Sequence, residues 1–443
     1  MDILLGFLIL FLLLVISAIK GIYPAYGLII GLVIFISIGK KHGYPIKSLL
    51  KMSLNGGKKS FIVLKIFILI GGIISAWMAA GTIPTIVFYG IKLIHPKLFI
   101  LSAFLVTCLV SLLIGTSLGT AGTIGVALMI MARSGNIYLP LVAGAVLSGA
   151  YVGDRNSPMS SSANLVAQIS GTNLYNNISI MIKTSVVPLV ISIIIYGSLS
   201  FLYPISATSS ILTDGIVENF TVNLLVLLPA LCIIFLSILK VDVKVSMIIS
   251  IIISIILSVS MQKYSLMENI KFLVFGFKME GTSSITTVLR GGGIISMMKN
   301  GLIVFISSSF SGIFENTDLL KTIMEKVNVK KSRHKVFQQT ILISLASSIV
   351  GCTQVLAVML THIISKDSYS INNLSNEHLA IDLENSAIVV APIIPWNIAA
   401  LVPLTTMGVG LSGILFSFYL FLLPITYWAG LAIKKGDMKS PVC

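Results

Sequence analysis

The sequence predicts an all-α polytopic membrane protein, and three observations support this class. The chain has 443 residues, of which 56% are hydrophobic and only 10% are charged. A soluble domain carries roughly 25% charged residues, so this chain has too little polar surface to cover a globule in water. Its mean hydropathy is +1.03, and its apolar residues gather in runs that suit about ten to twelve spans of ~20 residues each.

The apolar runs divide evenly between the two halves of the chain. In the first half we expect spans near residues 3–19, 22–39, 61–80, 98–117, 137–153 and 178–202. In the second half we expect them near 221–239, 245–260, 300–316, 337–363, 380–402 and 410–433. The first run has no basic segment before it and no cleavage site after it, so we interpret it as a retained span. We therefore predict a first transmembrane repeat over 1–205, a linker over 206–220 and a second repeat over 221–443.

Basic residues lie in short segments between the apolar runs. The chain has 30 Lys and Arg against 15 Asp and Glu, a formal net charge of +15. The densest basic segments are 40–59, 321–335 and 434–439. Because cytoplasmic loops are enriched in Lys and Arg, we expect these segments and both termini in the cytoplasm. Nucleic-acid binding is excluded as a function, because the basic residues are not clustered with aromatic ones in a soluble domain.

Three pairs of similar positions indicate an internal repeat. Subtraction of their residue numbers gives spacings of 229 to 231 residues. The pairs are Gly81 with Gly312, Gly122 with Gly351, and Asp154 with Glu384. A basic loop precedes the first glycine in one half and follows its counterpart in the other. Since both loops are expected in the cytoplasm, we predict two inverted-topology repeats, which are typical of secondary transporters.

Two polar segments, 149–164 and 382–397, interrupt the apolar runs and contain proline. Proline removes a backbone donor and disturbs the preceding helical turn. Irregular backbone at membrane depth is tolerated only where it faces protein or a wet cavity. We therefore predict broken or re-entrant helices at the centre of the protein. Their carbonyls, hydroxyls and amides can hold a cation or a polar solute.

Asp154 and Glu384 are the candidate cation ligands, because a charge at the centre of a span costs roughly 2.5–3.5 kcal/mol by insertion scales. Each carboxylate can bind Na⁺ when ionised and H⁺ when neutral, which is the competition that an antiporter needs. The candidate neutral ligands are Asn156, Ser157, Ser160, Asn164, Asn385, Ser386 and Asn397. Two structural alternatives stay open, namely a salt bridge between Asp154 and Arg155 and a loop position for Glu384.

A segment rich in glycine and threonine, 115–125, adds Thr120 and Thr123 to the candidate ligands. It contains a Gly-x-Ser-x-Gly pattern, but the serine-hydrolase elbow needs a strand before it. Apolar helical sequence stands there instead, so we do not expect an enzyme. An unwound ion-lining segment and close packing through small residues both stay open. The sequence contains no nucleotide loop or metal motif, so we expect no cofactor beyond transported Na⁺ and H⁺.

Several of these segments resemble the NhaC-type sodium/proton antiporter family of the ion transporter superfamily. They are GTSLGTAGTIGVAL at 115–128, SGAYVGDRNSP at 148–158, LENS at 383–386 and APIIPWN at 391–397. Arg290-Gly291-Gly292 ahead of Glu315 is also similar. The resemblance covers most of the chain. It implies a secondary active transporter in a bacterial plasma membrane that exchanges cytoplasmic Na⁺ for external H⁺ by alternating access.

One departure from the family pattern leaves a second function open. Family members often have an acid where this chain has Ser161, so one candidate cation ligand is absent. Relatives in the family exchange organic acids or carry amino acids with coupling ions. Sodium- or proton-coupled transport of an amino acid or a small organic acid is therefore the alternative. The partners implied are the transported ion or solute and the lipid bilayer, and a homodimer stays open.

Overall fold

A computed structural model describes residues 2–20, 22–205, 209–239, 241–279, 291–317 and 332–433, which are predominantly helical. The helices of the first half are α1 (Asp2–Lys20), α2 (Pro24–Lys41), α3 (Ile46–Lys59), α4 (Phe61–Ala79), α5 (Thr82–Leu93), α6 (Phe99–Ile114), α7 (Ser117–Thr120), α8 (Val126–Ser134), α9 (Leu139–Asn156), α10 (Ser161–Ser170) and α11 (Leu174–Leu202). The chain continues with α12 (Ser209–Asn219), α13 (Leu228–Ile238), α14 (Val243–Ser260), α15 (Leu266–Phe275), α16 (Ile294–Glu315), α17 (Arg333–Gly351), α18 (Gln354–Ile371), α19 (Asn376–Asn385), α20 (Ala387–Val390), α21 (Ile398–Thr406) and α22 (Phe418–Ile433). The predicted all-α class is confirmed.

The length and composition of several helices suit a bilayer. Within the described residues, three single helices are long and apolar enough to cross it: Pro96–Ile114, Leu174–Leu202 and Ile294–Phe314. Three bent pairs also qualify, namely Phe67–Ala79 with Thr82–Gly90, Thr213–Asn219 with Leu224–Leu236, and Asn376–Ile393 with Ile398–Thr406. Some predicted runs are divided in the structure. The run over 337–363, for example, is interrupted at Cys352. The number of ten to twelve spans stays a prediction.

Local sequence explains where the central helices begin and end. Pro140 lies in the first turn of α9, where its fixed φ suits the helix. α6 ends at Gly115, whose φ of 73° is the left-handed conformation that glycine adopts without steric cost. Ser160 and Asn397 are N-caps, since their side chains accept hydrogen bonds from the amides of Ala163 and Ala399.

Helix boundaries recur at a spacing of 237 residues, by subtraction of residue numbers. The helical segment 117–134 corresponds to α18, and α9 corresponds to the segment 376–393. Asn136 and Asn373, which both have positive φ, have the same spacing. The predicted register of 229 to 231 residues is therefore wrong by six to eight residues, because short local matches set it. Asp154 and Glu384 consequently do not occupy equivalent positions.

The segment predicted as a linker, 206–220, contains α12. The 237-residue spacing pairs α1 with α14, so α12 and α13 lie between the two sets of equivalent helices. The division into a first repeat, a linker and a second repeat stays a prediction.

The equivalent helices α4 and α16 contact each other and run in opposite directions. Gly71 of α4 lies against Gly293, and Gly56 of α3 lies against Gly312 at the other end of α16. A Cβ atom added at Gly56 would lie 2.6 Å from the Gly312 Cα atom, so the two backbones approach closely through glycine. This antiparallel contact between equivalent helices is the arrangement that an inverted-topology repeat predicts.

Candidate functional site

Two helix breaks of the first half contact each other. One lies at Gly115 and Thr116, between α6 and α7, and the Thr116 hydroxyl accepts a hydrogen bond of 3.3 Å from the Gly119 amide. The other lies over 157–160, between α9 and α10. A Cβ atom added at Gly115 would lie 2.9 Å from the Ser160 amide nitrogen. The predicted broken helices are therefore present in this half.

The second half repeats this arrangement at the 237-residue spacing. Cys352 has a φ of 54°, and the Thr353 hydroxyl accepts a hydrogen bond of 3.2 Å from the Leu356 amide. The second break lies between α20 and α21, over 394–397. The Ile398 amide donates a hydrogen bond of 2.8 Å to the Cys352 carbonyl, so these two breaks also meet.

Asp154 lies close to the breaks of both halves. Its side chain is 3% exposed, near the end of α9. The Gln354 amide Nε2 donates a hydrogen bond of 3.2 Å to Asp154 Oδ2. The amide and hydroxyl of Ser117 face the same carboxylate. Ser117 and Gln354 are the first helical residues after equivalent breaks, so both repeats supply donors to one acid.

The main chain of Asp154 is held by the break that follows it. The hydroxyls of Ser160 and Ser162 both donate to the Asp154 carbonyl, and the Ser162 distance is 2.9 Å. The two hydroxyls also lie 2.8 Å apart. These bonds connect the end of α9 to the start of α10 and keep the carboxylate at a fixed place.

Glu384 lies near the same site but on α19. Its side chain is 1% exposed, and its Oε2 atom has no hydrogen-bond partner among the residues that the structure describes. Arg155 and Asp154 are the charged groups that act on it. Gln354 Nε2, which donates to Asp154, also donates a hydrogen bond of 3.3 Å to the carbonyl of Ile388. Ile388 follows Glu384 closely in the sequence. The loop position considered for Glu384 is wrong, because the side chain is buried.

Arg155 is fully buried and does not pair with Asp154. Its Nη2 atom donates to Asn385 Oδ1 and, over 2.8 Å, to the Thr184 hydroxyl. Its Nη1 atom donates to the Ser185 hydroxyl, and over 3.3 Å to the Met181 carbonyl. The alternative of a salt bridge between Asp154 and Arg155 is therefore wrong.

Most of the neutral candidate ligands are hydrogen-bonded to backbone groups of the breaks or of the helices beside them. Asn156 Nδ2 donates a hydrogen bond of 2.8 Å to the Val152 carbonyl, and Asn164 Nδ2 donates one of 2.7 Å to the Ser160 carbonyl. Ser386 Oγ donates a hydrogen bond of 2.6 Å to the Asp382 carbonyl. Asn397 Nδ2 donates one of 3.0 Å to the Ser348 carbonyl. The Ser157 hydroxyl accepts a bond of 3.2 Å from the Met159 amide. Asn385 differs, because its Nδ2 atom is buried and has no partner within the described ranges of the chain. A hydroxyl that donates keeps lone pairs for a cation, whereas an amide nitrogen has none to offer.

Thr120 and Thr123 are buried in a helical segment that is not unwound. The backbone at Ala121–Gly125 forms a π-helical turn, a feature that is frequent at functional sites. Thr120 donates 2.8 Å to the Thr116 carbonyl, and Thr123 donates 2.8 Å to the Gly119 carbonyl. The unwinding considered for 115–125 is restricted to Gly115 and Thr116.

A third buried acid, Asp382, was not singled out by sequence reasoning. Asp382 forms a bidentate ion pair with Arg333, with both nitrogen–oxygen distances at 2.7 Å. Tyr369 donates its hydroxyl to Asp382, and Arg333 also donates 3.2 Å to Tyr427. Arg333 belongs to the basic segment 321–335, for which the sequence predicts a cytoplasmic loop. Gln354 is the equivalent of Ser117 at the 237-residue spacing, so the correct repeat register would have indicated it.

Some residues named from the sequence lie outside the described parts of the chain. They are Arg290, the basic residues at 321–331 and the basic tail over 434–439, while the side chain of Glu315 is likewise not described.

Comparison with known sequences shows two matches to one family. The profile described as the Na⁺/H⁺ antiporter family matches residues 3–163 and 149–433, which together span most of the chain.

Three relatives have similar lengths and cover most of the chain. An uncharacterized Na⁺/H⁺ antiporter of Haemophilus influenzae is 30% identical over 363 residues, which are 79% of this chain and 78% of the relative. The Na⁺/H⁺ antiporter NhaC of Alkalihalophilus pseudofirmus is 29% identical over 81% of this chain and 79% of the relative. The malate-2H⁺/Na⁺-lactate antiporter of Bacillus subtilis is 28% identical over 90% of this chain and 86% of the relative.

Proposed function

The chain belongs to the Na⁺/H⁺ antiporter family, and on this basis we propose that it exchanges cytoplasmic Na⁺ for external H⁺ by alternating access. It is a multi-pass membrane protein of a family of transporters rather than of enzymes. The observation that carries the proposal is the position of Asp154. Its carboxylate is buried where the breaks of both halves meet, and it receives donors from both.

The exchange follows from competition for one buried acid. In the ionised form Asp154 binds Na⁺, with hydroxyl oxygens of the breaks as neutral ligands, and in the neutral form it carries H⁺. Occupancy by one cation excludes the other, so each passage of Na⁺ in one direction is coupled to H⁺ in the other. Because Ser117 and Gln354 belong to opposite halves, relative movement of the halves changes the access to Asp154.

Proteoliposomes that contain a pH-sensitive dye test this proposal. Addition of external Na⁺ should change the internal pH with wild-type protein. Asp154→Asn should reduce the rate by roughly tenfold or more, because the amide cannot carry the charge that the cation requires. The matched control is Asp242→Asn at an exposed N-cap, where Asn caps as well as Asp. A full response from Asp154→Asn would contradict the role of this residue.

A second candidate function is the transport of a carboxylate-bearing solute. Arg155 Nε and Asn385 Nδ2 are buried donors without a partner in the described part of the chain, and guanidinium groups bind carboxylates in a bidentate manner. The malate/lactate relative is compatible with such a substrate. Uptake of radiolabelled malate, lactate and basic amino acids by the same proteoliposomes distinguishes the two functions. Intact cation exchange without saturable solute uptake would reject the second.

We further propose that both termini are cytoplasmic and that the membrane is a bacterial plasma membrane, as the basic segments predict. The homodimer stays a prediction, and crosslinking of the purified full chain in lipid would test it.

A further inference from the structure

The described part of the chain contains four fully buried charged side chains, and their charges do not cancel. They are Asp154, Arg155, Asp382 and Glu384. Asp382 is neutralised by its bidentate partner Arg333, which is 11% exposed. The three remaining groups are two acids and one base. With both acids ionised, this group of three carries one net negative charge.

The three groups belong to one site. Arg155 follows Asp154 directly on α9, and its Nη2 atom binds Asn385, the neighbour of Glu384. Gln354 connects Asp154 to the segment that follows Glu384, because its Nε2 atom donates to both the Asp154 carboxylate and the Ile388 carbonyl. The charges of Arg155 and Asp154 both act on Glu384.

Arg155 is also well placed to stay charged without an acid of its own. Its two terminal nitrogens donate to neutral oxygens from four helices, and a guanidinium does not lose its proton at cellular pH. These oxygens replace its hydration shell and leave its positive charge available to the whole site.

We propose that Arg155 cancels one of the two carboxylate charges, so that the site takes one Na⁺ or one H⁺ at a time. The inference rests on the proposed function and adds a stoichiometry to it. A net charge in a low-dielectric interior is costly, so the empty site resists movement between the two faces of the membrane. One cation makes the site neutral, and one Na⁺ is then exchanged for one H⁺.

The number of cations per site can be counted on the purified full chain in detergent. Na⁺ is titrated at a pH at which the sodium-free site still holds its proton, and the released protons are measured with an indicator dye. The wild-type chain should release about one proton per Na⁺ bound, with a Hill coefficient near one. Arg155→Lys keeps the charge and should keep both values, although its affinity changes because the fork of donors is lost.

Neutral replacement of the arginine should change the count itself. In Arg155→Gln the site has two uncompensated acids, so it should release about two protons per chain, with a Hill coefficient above one. Unchanged values in a folded Arg155→Gln would overturn the proposal. A loss of packing around the arginine would alter affinity or stability but not the number of protons.

A charge-restoring double variant gives a test that is independent of Arg155→Gln alone. In Glu384→Gln the site is neutral without a cation, so half-saturation by Na⁺ should rise by roughly tenfold or more. Arg155→Gln/Glu384→Gln has one net negative charge again, and should regain one-for-one exchange. Normal Na⁺ binding by Glu384→Gln overturns the proposal, and so does a double variant no better than Glu384→Gln. Asp242→Asn is the control, and wild-type protein without any Na⁺/H⁺ exchange would instead reject the proposed function.

Discussion

Asp382 and Glu384 are two residues apart on α19, both are buried, and their surroundings differ. Asp382 receives a guanidinium fork from Arg333 and a phenol from Tyr369. Glu384 has one oxygen for which the described residues provide no hydrogen-bond partner. Asp382 therefore suits a structural role, whereas Glu384 suits a site that is filled and emptied.

The variant Asp382→Asn tests the structural role. Removal of one partner leaves the Arg333 charge buried and uncompensated, which should lower the free energy of unfolding by roughly 3–5 kcal/mol. Thermal unfolding in detergent measures this loss. Asp367→Asn, on an exposed part of α18, should change the unfolding temperature little. Equal unfolding temperatures for the two variants would contradict the structural role.

The burial of two acids could be predicted from the sequence, because an acid among apolar residues is costly, whereas their role as cation ligands stays a prediction. Asp154 and Glu384 stand among apolar residues, and both are buried near the breaks. Gln354 was not predicted, because a single amide after a break carries no comparable cost in the sequence. The partner of Asp382 was also missed, because Arg333 lies 49 residues away and in a basic segment.

The break between α6 and α7 depends on one glycine. Gly115 combines a φ of 73° with close contact to Met159 and Ser160 of the next break. A side chain there would be strained in the left-handed conformation and would also push the two breaks apart. Gly115 thus links the end of α6 to the position of the break between α9 and α10.

Gly115→Ala should therefore lower stability by about 1–2 kcal/mol from the backbone conformation alone, with a further loss from the contact, and should slow exchange. Unfolding and dye-based exchange are measured on the same preparation. Gly430→Ala, in open space on α22 and without positive φ, is the control. It should leave exchange nearly unchanged and should not lower stability, because alanine is favoured over glycine inside a helix by roughly 0.5–1 kcal/mol. Unaltered exchange by Gly115→Ala would show that the break tolerates displacement.

The sequence predicted long elements better than interrupted ones. The ends of α4, α6 and α11 lie within a few residues of the predicted runs. By contrast, α7 was not predicted as helix, because glycine and threonine lower helix propensity. The nine residues of α8 were not predicted either, because they are too few for a span. The amphipathic α3 was read as a loop, since its lysines obscured the face that packs on α16.

At the scale of the whole molecule, equivalent helices of the two halves have a constant spacing and α4 runs antiparallel to α16. We propose that the halves are inverted with respect to the membrane. The repeat was visible in the sequence, but its register was not, because few side chains match between the halves. Helix boundaries and the two left-handed asparagines give the register.

Cysteine labelling in intact cells tests the inversion. Tyr138 and Ser375 are exposed, and they have the 237-residue spacing. In a background without the four native cysteines, Tyr138→Cys and Ser375→Cys should lie on opposite faces of the membrane. A membrane-impermeant maleimide should label only one of them from outside. Labelling of both from outside would contradict inverted halves.

The ion pair between Arg333 and Asp382 belongs to the second repeat alone. The equivalent positions in the first repeat are Pro96 and Ala145, which cannot form such a pair. If the two halves exchange conformations during the cycle, only the second repeat carries this buried ion pair through the change. We therefore expect the inward-open and outward-open forms to differ in energy, so that a carrier built from related halves still rests on one side of the membrane.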